Sequence, residues 1–411
     1  MVMKKFIYLI FTALTLASCV SIKTGDPYDR GLYRLVVDPV YPEGFPEAQK
    51  VGVPVSVTER NLGNKYSQNT GENGTAVLEL PAGSYRVTFS YSHDGVSYNG
   101  AIDKVILGEA GVKEVKLPVK DSRSGKIVFK EIYCGGCTKY PEQGNYMGDS
   151  YVILHNNTSE VQYLDGLCFS ALDPSNSVGT NVWVTTDPAT GETVYPDFVP
   201  LSQAVWQIGG DGSAFPLEPG EDAVIVVFGA IDHHSKYPNS VNLNNSQYFV
   251  CYNTTYFPNP NFHPAPGNNI RQDRILDVVI KTGKANAFTF SINSPATVIF
   301  RAPEGTTMKE FVSESGNVIP KPGSTSENIV KLPIDWVIDG VEVFVKGGSN
   351  KKRLCPDIDA GAVEFSGSFQ GHTLFRKADE ASSQTFGYEI LADTNNSTND
   401  FYEREKQSLH E

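Results

Sequence analysis

Hydrophobic and polar residues alternate along much of the chain after residue 30, as they do in β-strands that bury one face. In "VGVPVSVTE" (51–59) the valines fall on one face, and "TAVLEL" (75–80) repeats the alternation after the turn signal "NG". "PAGSYRVTFSY" (81–91) continues it. Several short strands separated by turn signals predict a small β-sandwich over residues 29–120.

A second β region is predicted over residues 121–411. Its strand candidates are Lys126–Tyr133, Ser150–Leu154, Val161–Phe169, Asp222–Phe228, Ala287–Phe300, Ile334–Val345 and His372–Arg376. Long polar stretches rich in Asn, Pro and Gly separate them, notably 171–200 and 232–285. Loops of this length in a compact domain usually carry function or short structure of their own. The prediction is an all-β chain: a small sandwich followed by a larger one with long loops.

The amino terminus reads as a secretion signal. Lys4 and Lys5 precede an apolar run, Phe6–Leu16, which is too short to span a bilayer. The run ends in Leu-Ala-Ser-Cys, which looks like a bacterial lipobox, so residues 1–18 are predicted as signal peptide and Cys19 as the lipidated residue. Residues 19–28 would be a tether. The alternative is an ordinary signal peptide with a chance cysteine.

The composition is consistent with a location outside the cytoplasm. The net charge of −13 argues against a nucleic-acid partner, which needs a basic surface. Only 20% of the residues are charged, and there are 37 Gly and 25 Pro, which is typical of a turn-rich protein outside the cytoplasm. We therefore predict a cell-envelope protein held by lipid at the outer membrane, facing the periplasm or the surface.

Two stretches carry family resemblances. "VPVSVTE…TGENGTAVLELPAGSYRVTFSY" resembles carboxypeptidase-regulatory or transthyretin-like sandwiches, which implies a spacer or stabilising module. "KIVFKEIYCGG", "GDSYVILHNNTSEVQYLDGLCF" and "LPIDWVIDGVEVF" resemble uncharacterised lipoproteins of Bacteroides-type bacteria over about residues 121–401, a family known only as a domain of unknown function. The order of strand and turn motifs in this region is also similar to that of the lamin-tail immunoglobulin-like sandwich. These resemblances imply a fold and no known activity.

The segment "EIYCGGCTKY" contains Cys134 and Cys137. The following residues, with Pro141 and Gly144, cannot sustain the helix that a thioredoxin-like motif needs, and no second Cys or His pair is near enough for a zinc knuckle. An oxidising compartment favours a local disulfide between them. Free turn-forming thiols, or a redox or metal role, are the alternatives. The pairing of Cys168, Cys251 and Cys355 is left open.

Asp232, His233 and His234 follow an apolar strand and are candidate ligand-binding residues, since carboxylate and imidazole bind metals or move protons. Neighbouring residues on a strand face opposite ways, so both histidines cannot easily share one ion; the alternative is a polar loop start with Asp232 capping a turn. His263 is a distant third candidate.

The loops are also dense in aromatic residues, and Tyr252 and Tyr256 complete the predicted binding set. These rings could stack on sugars or pin the loops to the sandwich. The dense set is Tyr140, Tyr146, Tyr195, Phe198, Tyr237, Tyr252, Tyr256, Phe257 and Phe262.

Other candidates for chemistry are weaker. "DTNNSTND" (393–400) spaces oxygen side chains as a calcium loop does, but it lacks the central Gly and the final Glu, so an Asx-rich turn is the better interpretation. Glu131, Asp165 and Asp339 could pair as glycosidase carboxylates, but they lie in strand or turn contexts. We predict no catalytic residues, no metal and no cofactor.

The leading hypothesis is a non-enzymatic, lipid-anchored envelope protein whose larger domain binds a glycan or a protein partner through its loops. One alternative is an accessory lipoprotein of a TonB-dependent nutrient-uptake system. Another is an envelope glycan hydrolase. The sequence identifies neither the ligand nor the oligomeric state.

Acylation of Cys19 can be tested directly. Because a lipobox cysteine is the attachment point, Cys19→Ala should abolish incorporation of a fatty-acid probe and leave the precursor uncleaved. Ser21→Ala, just outside the motif, is the control and should label normally. Labelling of Cys19→Ala at the wild-type level would contradict the prediction.

Overall fold

The computed structural model describes residues 31–93, 96–109, 111–123 and 125–410. The predicted signal peptide, the acylation site Cys19 and the tether lie outside these ranges. Within them, no helix has both the length and the apolarity required to cross a bilayer. Strands dominate and helices are few and short, so the prediction of an all-β protein is confirmed.

The amino-terminal sandwich, as we call residues 31–123, contains two sheets around one core. Its strands are β1 (Tyr33–Val40), β2 (Pro54–Glu59), β3 (Lys65–Asn69), β4 (Ala76–Leu80), β5 (Gly83–His93), β6 (Val96–Leu107), β7 (Val112–Pro118) and β8 (Lys120–Arg123). One sheet has the order β4-β1-β7 and the other β3-β2-β5-β6-β8. The alternating valines of β2 point into the core, with Val55 and Val57 fully buried. The period-two pattern of the sequence therefore places one face of each strand in the core.

The larger sandwich, residues 125–410, follows. Its strands are β9 (Ile127–Tyr133), β10 (Cys137–Thr138), β11 (Asn145–Tyr146), β12 (Tyr151–Asn156), β13 (Gln162–Tyr163), β14 (Cys168–Leu172), β15 (Thr185–Thr186), β16 (Thr193–Val194), β17 (Phe198–Gln207), β18 (Pro216–Leu217), β19 (Asp222–Val226), β20 (Phe249–Val250), β21 (Asp277–Lys281), β22 (Ala296–Phe300), β23 (Val318–Pro320), β24 (Asn328–Pro333), β25 (Val337–Val345), β26 (Val363–Phe365), β27 (Thr373–Arg376) and β28 (Phe401–Arg404). Its helices are α1 (Met308–Ser313), α2 (Glu380–Phe386) and α3 (Ser397–Asp400).

Two main sheets build the larger sandwich. One is six-stranded, β20-β19-β12-β9-β27-β28, and the other runs β23-β24-β17-β14-β22-β25-β26, with β21 added beside β17. The main core between them includes Phe129, Phe169 and Trp206. Further clusters cover the outer faces: one centred on Met308 and Phe311 lies over the second sheet, and one containing Val241 and Leu243 lies over the first. Both main sheets are therefore covered on both faces.

Several strands differ from their predicted bounds. The candidate Val161–Phe169 is broken into β13 and β14 by a turn, and only the last third of Ala287–Phe300 is strand. The ten-residue strand β17 begins inside the stretch predicted as a loop and extends beyond it. Its alternation is disguised by a bulge, at which the partner of β14 shifts from Trp206 to Ser202.

The carboxy-terminal segment "DTNNSTND" is built around a buried ion cluster. Arg376, at the end of β27, donates to Asp339 at 2.5 Å and to Asp393 at 3.0 Å, and lies 3.7 Å from Asp400. Within the segment, the Asn396 side chain accepts the Thr398 N–H, which is an Asx turn that caps α3. The aspartates of this segment are therefore paired with an arginine of the same chain.

The cluster contains more carboxylates than cations. Burial raises the pKa of Asp339 to about 7; Arg376 opposes the rise and Asp393 adds to it. The same causes raise the pKa of Asp400 to about 7. The pKa of an aspartate in an unfolded chain is about 4. Between those values the folded chain binds more protons than the unfolded one, so this cluster contributes its stability fully below about pH 4 and loses it as the pH rises through about 7.

We expect Asp400→Asn, which cannot ionise, to gain stability relative to the wild type as the pH rises from 5 to 8. The gain should be about 1 kcal/mol or more, since one pKa unit corresponds to about 1.4 kcal/mol. Denaturant unfolding at each pH measures the gain in the free energy of unfolding. Because the variant and the wild type share all other ionisable groups, including the buried histidines, the contributions of those groups cancel in the difference. The exposed Asp335→Asn, which lies outside the cluster, is the control. Parallel pH profiles for Asp400→Asn and the wild type would refute the raised pKa.

Candidate functional site

The two long loops of the larger sandwich converge on a cavity of about 620 Å³. Asp173–Asn176 come from the first loop, and Phe262 and Thr282–Ala285 come from the second. The strand residue Gln203 and the segment Thr289–Asn293 complete one wall. The volume lies within the range of roughly 300–1,000 Å³ that small-molecule sites usually have.

Gln203 fixes this wall at the bulge of β17. Its backbone is in the left-handed region, with φ of 64°, which costs a non-glycine residue on the order of 1 kcal/mol or more. The side-chain amide holds both backbone groups of Thr289: Nε2 donates to the carbonyl at 2.9 Å, and Oε1 accepts the N–H at 3.1 Å. Its own carbonyl accepts the Thr282 N–H at 2.9 Å. One residue therefore joins three lining segments.

The charges that line the cavity balance. Lys321 Nζ lies 2.7 Å from Asp173 Oδ1 and 3.5 Å from Glu327. Burial alone would lower the pKa of Lys321, but these two carboxylates raise it above its ordinary value, so the ammonium stays charged. Asp173 also accepts from the indole of Trp183 at 2.7 Å. With the exposed Lys284, the lining carries two cations and two carboxylates.

The remaining lining combines aromatic rings with polar side chains. Phe228 and Phe262 form an edge-to-face pair with centroids 5.7 Å apart, and Phe290 adds a third ring. Thr282 Oγ1 and Asn176 Oδ1 are buried atoms with no hydrogen-bond partner among the described residues. Buried polar atoms are nearly always paired in folded proteins, so such atoms in a cavity wall indicate unused capacity for hydrogen bonds.

The residues predicted to bind a ligand contact other residues of the protein and do not form a shared site. Asp232 accepts the Ser235 N–H at 3.1 Å, which caps a turn. His233 is buried between the Tyr146 hydroxyl at 2.5 Å and the Gly229 carbonyl at 2.6 Å, and burial lowers its pKa to about 4.

His234 Nδ1 lies 3.1 Å from the Ser240 carbonyl, so the two histidines have separate partners. Tyr252 packs on the outer cluster of the six-stranded sheet, and Tyr256 is 42% exposed. His263 accepts the Phe288 N–H at 2.8 Å and stacks on Phe257. None of these side chains is among the described residues that line the cavity. Nor do any three His, Cys, Asp or Glu residues in the described ranges gather into a possible metal site.

Cys134 and Cys137 are free thiols in the structure, which differs from the predicted disulfide. Their side chains enter different surroundings: Cys134 belongs to the main core, whereas Cys137 Sγ lies 3.9 Å from the buried Asp149. The turn between them is held by backbone hydrogen bonds, because the Gly135 and Gly136 carbonyls accept the N–H groups of Phe369 and Gly371. The turn therefore needs no covalent closure.

Two of the three candidate glycosidase carboxylates are engaged in separate structural networks. Glu131 is fully buried and accepts from the Tyr151 hydroxyl at 2.7 Å and from Arg404 at 3.2 Å. Asp165 accepts the N–H groups of Ala214, Phe215 and Gly212; burial alone would raise its pKa, but these bonds lower it.

The third, Asp339, pairs with Arg376 as described above. Each carboxylate therefore serves its own set of donors, with no partner in common among the contacts described.

Residues 218–408 match the model of a family described as "Protein of unknown function (DUF4876)". This part of the chain, a little under half of it, is similar to a DUF4876 domain. It includes the cavity residues from Phe228 onward, whereas Asp173, Asn176 and Gln203 precede it.

A solved structure supports the family. The crystal structure of a DUF4876 family protein from Bacteroides thetaiotaomicron VPI-5482 is 26% identical, covers 90% of this chain and 94% of its own, and has a TM-score of 0.54. The predicted resemblance to an uncharacterised Bacteroides-type family is confirmed. A DUF3823 family protein from Parabacteroides merdae ATCC 43184 is 16% identical over 44% of this chain and 83% of its own, with a TM-score of 0.17, which is too low to support an argument. A comparison with curated proteins found no match.

Sequence reasoning found the loops but missed most of the cavity residues. Phe262 belongs to the aromatic set noted above, and Asp173 and Thr282 lie inside the two long loops. Gln203, Thr289 and Lys321 carried no local signal, because each reaches the cavity through strand pairing or loop packing that joins distant segments.

The thiols provide a test of this part of the structure. Burial raises the pKa of both Cys134 and Cys137 to about 12, so thiolate is scarce at pH 8. We expect neither thiol to react with iodoacetamide in the folded protein, and both to react in guanidinium without added reductant. Mass spectrometry of the digest measures this. A cross-linked peptide containing both cysteines, from protein never exposed to reductant, would contradict the free thiols.

Proposed function

We propose that this is a non-enzymatic, lipid-anchored cell-envelope protein that binds an uncharged saccharide in the cavity of its larger sandwich. The observation that carries the proposal is the convergence of two long loops on one cavity held by a bulged strand. A rigid sheet that positions loop residues is a common arrangement for binding sites. Glycan binding is favoured over a protein partner because the candidate site is concave rather than flat.

The composition of the cavity favours a neutral, hydroxyl-rich ligand. Its two cations and two carboxylates cancel, and the Lys321–Asp173 contact pairs one charge of each sign. Asn, Gln, Ser and Thr side chains can donate and accept, which suits hydroxyl groups. The rings of Phe228, Phe262 and Phe290 offer apolar faces against which a sugar ring can pack.

Binding without catalysis is supported by the carboxylates. A glycosidase needs two of them across one bond, about 5–9.5 Å apart. Glu131 and Asp339 are buried in separate networks, and Asp165 is held by three backbone N–H groups. In the cavity, Asp173 is bound by both Lys321 and Trp183, so it is poorly placed to take or give a proton.

Lipid anchoring rests on the Leu-Ala-Ser-Cys sequence at 16–19. Several acyl chains on Cys19 would hold the chain at a membrane without a transmembrane helix. A saccharide-binding protein in that position would keep a glycan close to the cell envelope.

The cavity can be tested with a matched pair of aromatic variants. An array of neutral oligosaccharides identifies a ligand, and calorimetry then gives the affinity of each variant. Phe262→Ala should weaken binding about tenfold or more, because a ring is lost from the cavity wall. Tyr256→Ala removes an exposed ring from the same loop outside the cavity and should bind like the wild type.

The reverse result, with Tyr256→Ala weakened and Phe262→Ala unchanged, would move the site to the segment favoured by the sequence. If the protein retains no neutral saccharide on the array, the proposal that the ligand is an uncharged saccharide is wrong. The folded state of Phe262→Ala is checked by its thermal unfolding, so that a loss of binding is not confused with a loss of structure.

A further inference from the structure

A second cavity, of about 400 Å³, lies between the two sandwiches. The amino-terminal sandwich provides the turn after β2, together with Arg86, Asp103 and Lys104 from β5 and β6. The larger sandwich provides residues of the loop that carries β15 and β16, and the turn after β25. We call this cavity the inter-sandwich cleft. Its walls come from both halves of the described chain.

The two halves are joined by polar contacts around the cleft. Arg86 Nε lies 2.9 Å from Asp103 Oδ1, Arg86 also donates to the Ala360 carbonyl, and the Tyr195 hydroxyl donates to Asp103. Lys65 pairs with Glu364 at 3.2 Å across the two sandwiches. The cleft is therefore built from specific contacts, which hold its walls in register.

The charge of the cleft is opposite to that of the protein. The lining contains six cations and three carboxylates, namely Arg60, Lys65, Arg86, Lys104, Lys351 and Lys352, with Glu59, Asp103 and Glu364. The whole chain carries a net charge of −13. A positively charged cleft in an acidic protein concentrates positive potential at one place and attracts anions there.

The carboxylates of the cleft are already engaged. Asp103 and Glu364 pair with Arg86 and Lys65, and Glu59 accepts the N–H groups of Asn61 and Leu62. Four cations are left without a carboxylate within ion-pair distance among the described residues: Arg60, Lys104, Lys351 and Lys352. The cleft therefore has an excess of positive charge that its own side chains do not neutralise.

Lys352 is the unusual member of this set. It is only 7% exposed, and its ammonium donates to the Gly361 carbonyl at 2.5 Å, although an ammonium has three protons to donate. Burial lowers its pKa, partly offset by the more distant Asp359 and Glu342. A buried cation is costly unless it is paired, so an anion in the cleft would stabilise it.

The lining is also rich in hydroxyl groups. Thr185, Thr186 and Thr193 line the cleft together with Asn181. A cavity of about 400 Å³ is larger than a bare sulfate or phosphate needs and suits a ligand of one or two sugar rings.

We propose that the inter-sandwich cleft binds an acidic saccharide, a sugar that carries a carboxylate, sulfate or phosphate group. Arg60 and Lys104 of the amino-terminal sandwich and Lys351 and Lys352 of the larger one face the anionic group, and the threonine side chains bond the sugar hydroxyls. The amino-terminal sandwich is then part of a binding site and more than the spacer that its family resemblance implies. This cleft shares no lining residue with the 620 Å³ cavity, so the two sites stand or fall separately.

The test uses the purified chain and three probes: a galacturonic acid disaccharide, maltose as its neutral counterpart, and sodium sulfate. Calorimetry at low and high salt gives affinities, and thermal unfolding reports binding independently, because a ligand of the folded state raises the midpoint. The double variant Arg60→Gln/Lys104→Gln removes two exposed cations of the cleft. Lys113→Gln/Lys116→Gln removes the same charge from exposed positions of β7 outside it.

We expect the affinity for the acidic disaccharide to fall as salt increases. The affinity should drop about tenfold or more in the cleft variant and stay unchanged in the β7 variant. Phe262→Ala should bind the acidic disaccharide normally, which separates this site from the cavity. The proposal is overturned if the wild type does not bind the acidic disaccharide, if both double variants weaken binding equally, or if maltose or sulfate alone binds as tightly.

Discussion

Both main sheets of the larger sandwich are apolar on both faces, and this constraint determines much of the rest of the domain. A sheet buried on one face leaves the other to water, and its strands alternate. Here β12 and β14 are buried at every position. Their outer faces must be covered, and the long connections do so: Val241 and Leu243 cover one sheet, and Met308 and Phe311 cover the other. The loops are therefore long because they form an outer layer of the core.

Covering a sheet with irregular chain creates polar groups that need partners, and short-range side-chain bonds provide them. Asn253 accepts the N–H groups of Thr255 and Tyr256, and Asn242 accepts that of Asn244. The asparagine-rich composition of these loops follows from this requirement, since Asx side chains replace the backbone partners that a strand would supply. Some of the loop aromatics pack inside the protein: Phe257 is fully buried against Trp206 in the main core, and Tyr237 packs on Tyr146.

The two cavities differ in charge. The cavity at the bulge of β17 has balanced charges and three phenylalanine rings, whereas the cleft between the sandwiches has an excess of cations and is lined by threonines. The loop from Asp173 to Tyr195 contributes to both. This difference in charge is the reason why we propose different ligand chemistries for two concave sites that share one loop.

The sequence by itself determined the all-β class, the alternating strands of the amino-terminal sandwich and the positions of the long loops, because these depend on local periodicity and turn chemistry. It also flagged Phe262, and it offered an Asx turn for 393–400. It did not find β17, whose alternation is broken by the bulge at Gln203, or the role of Arg376, whose three aspartates lie on other segments. The disulfide was predicted from the spacing of the two cysteines and the expected compartment. Neither shows that Cys134 and Cys137 lie in different surroundings. The two cavities were decided only by tertiary structure, because residues as distant as Asp173 and Lys321, or Arg86 and Ala360, meet only when the sheets pair and the sandwiches pack.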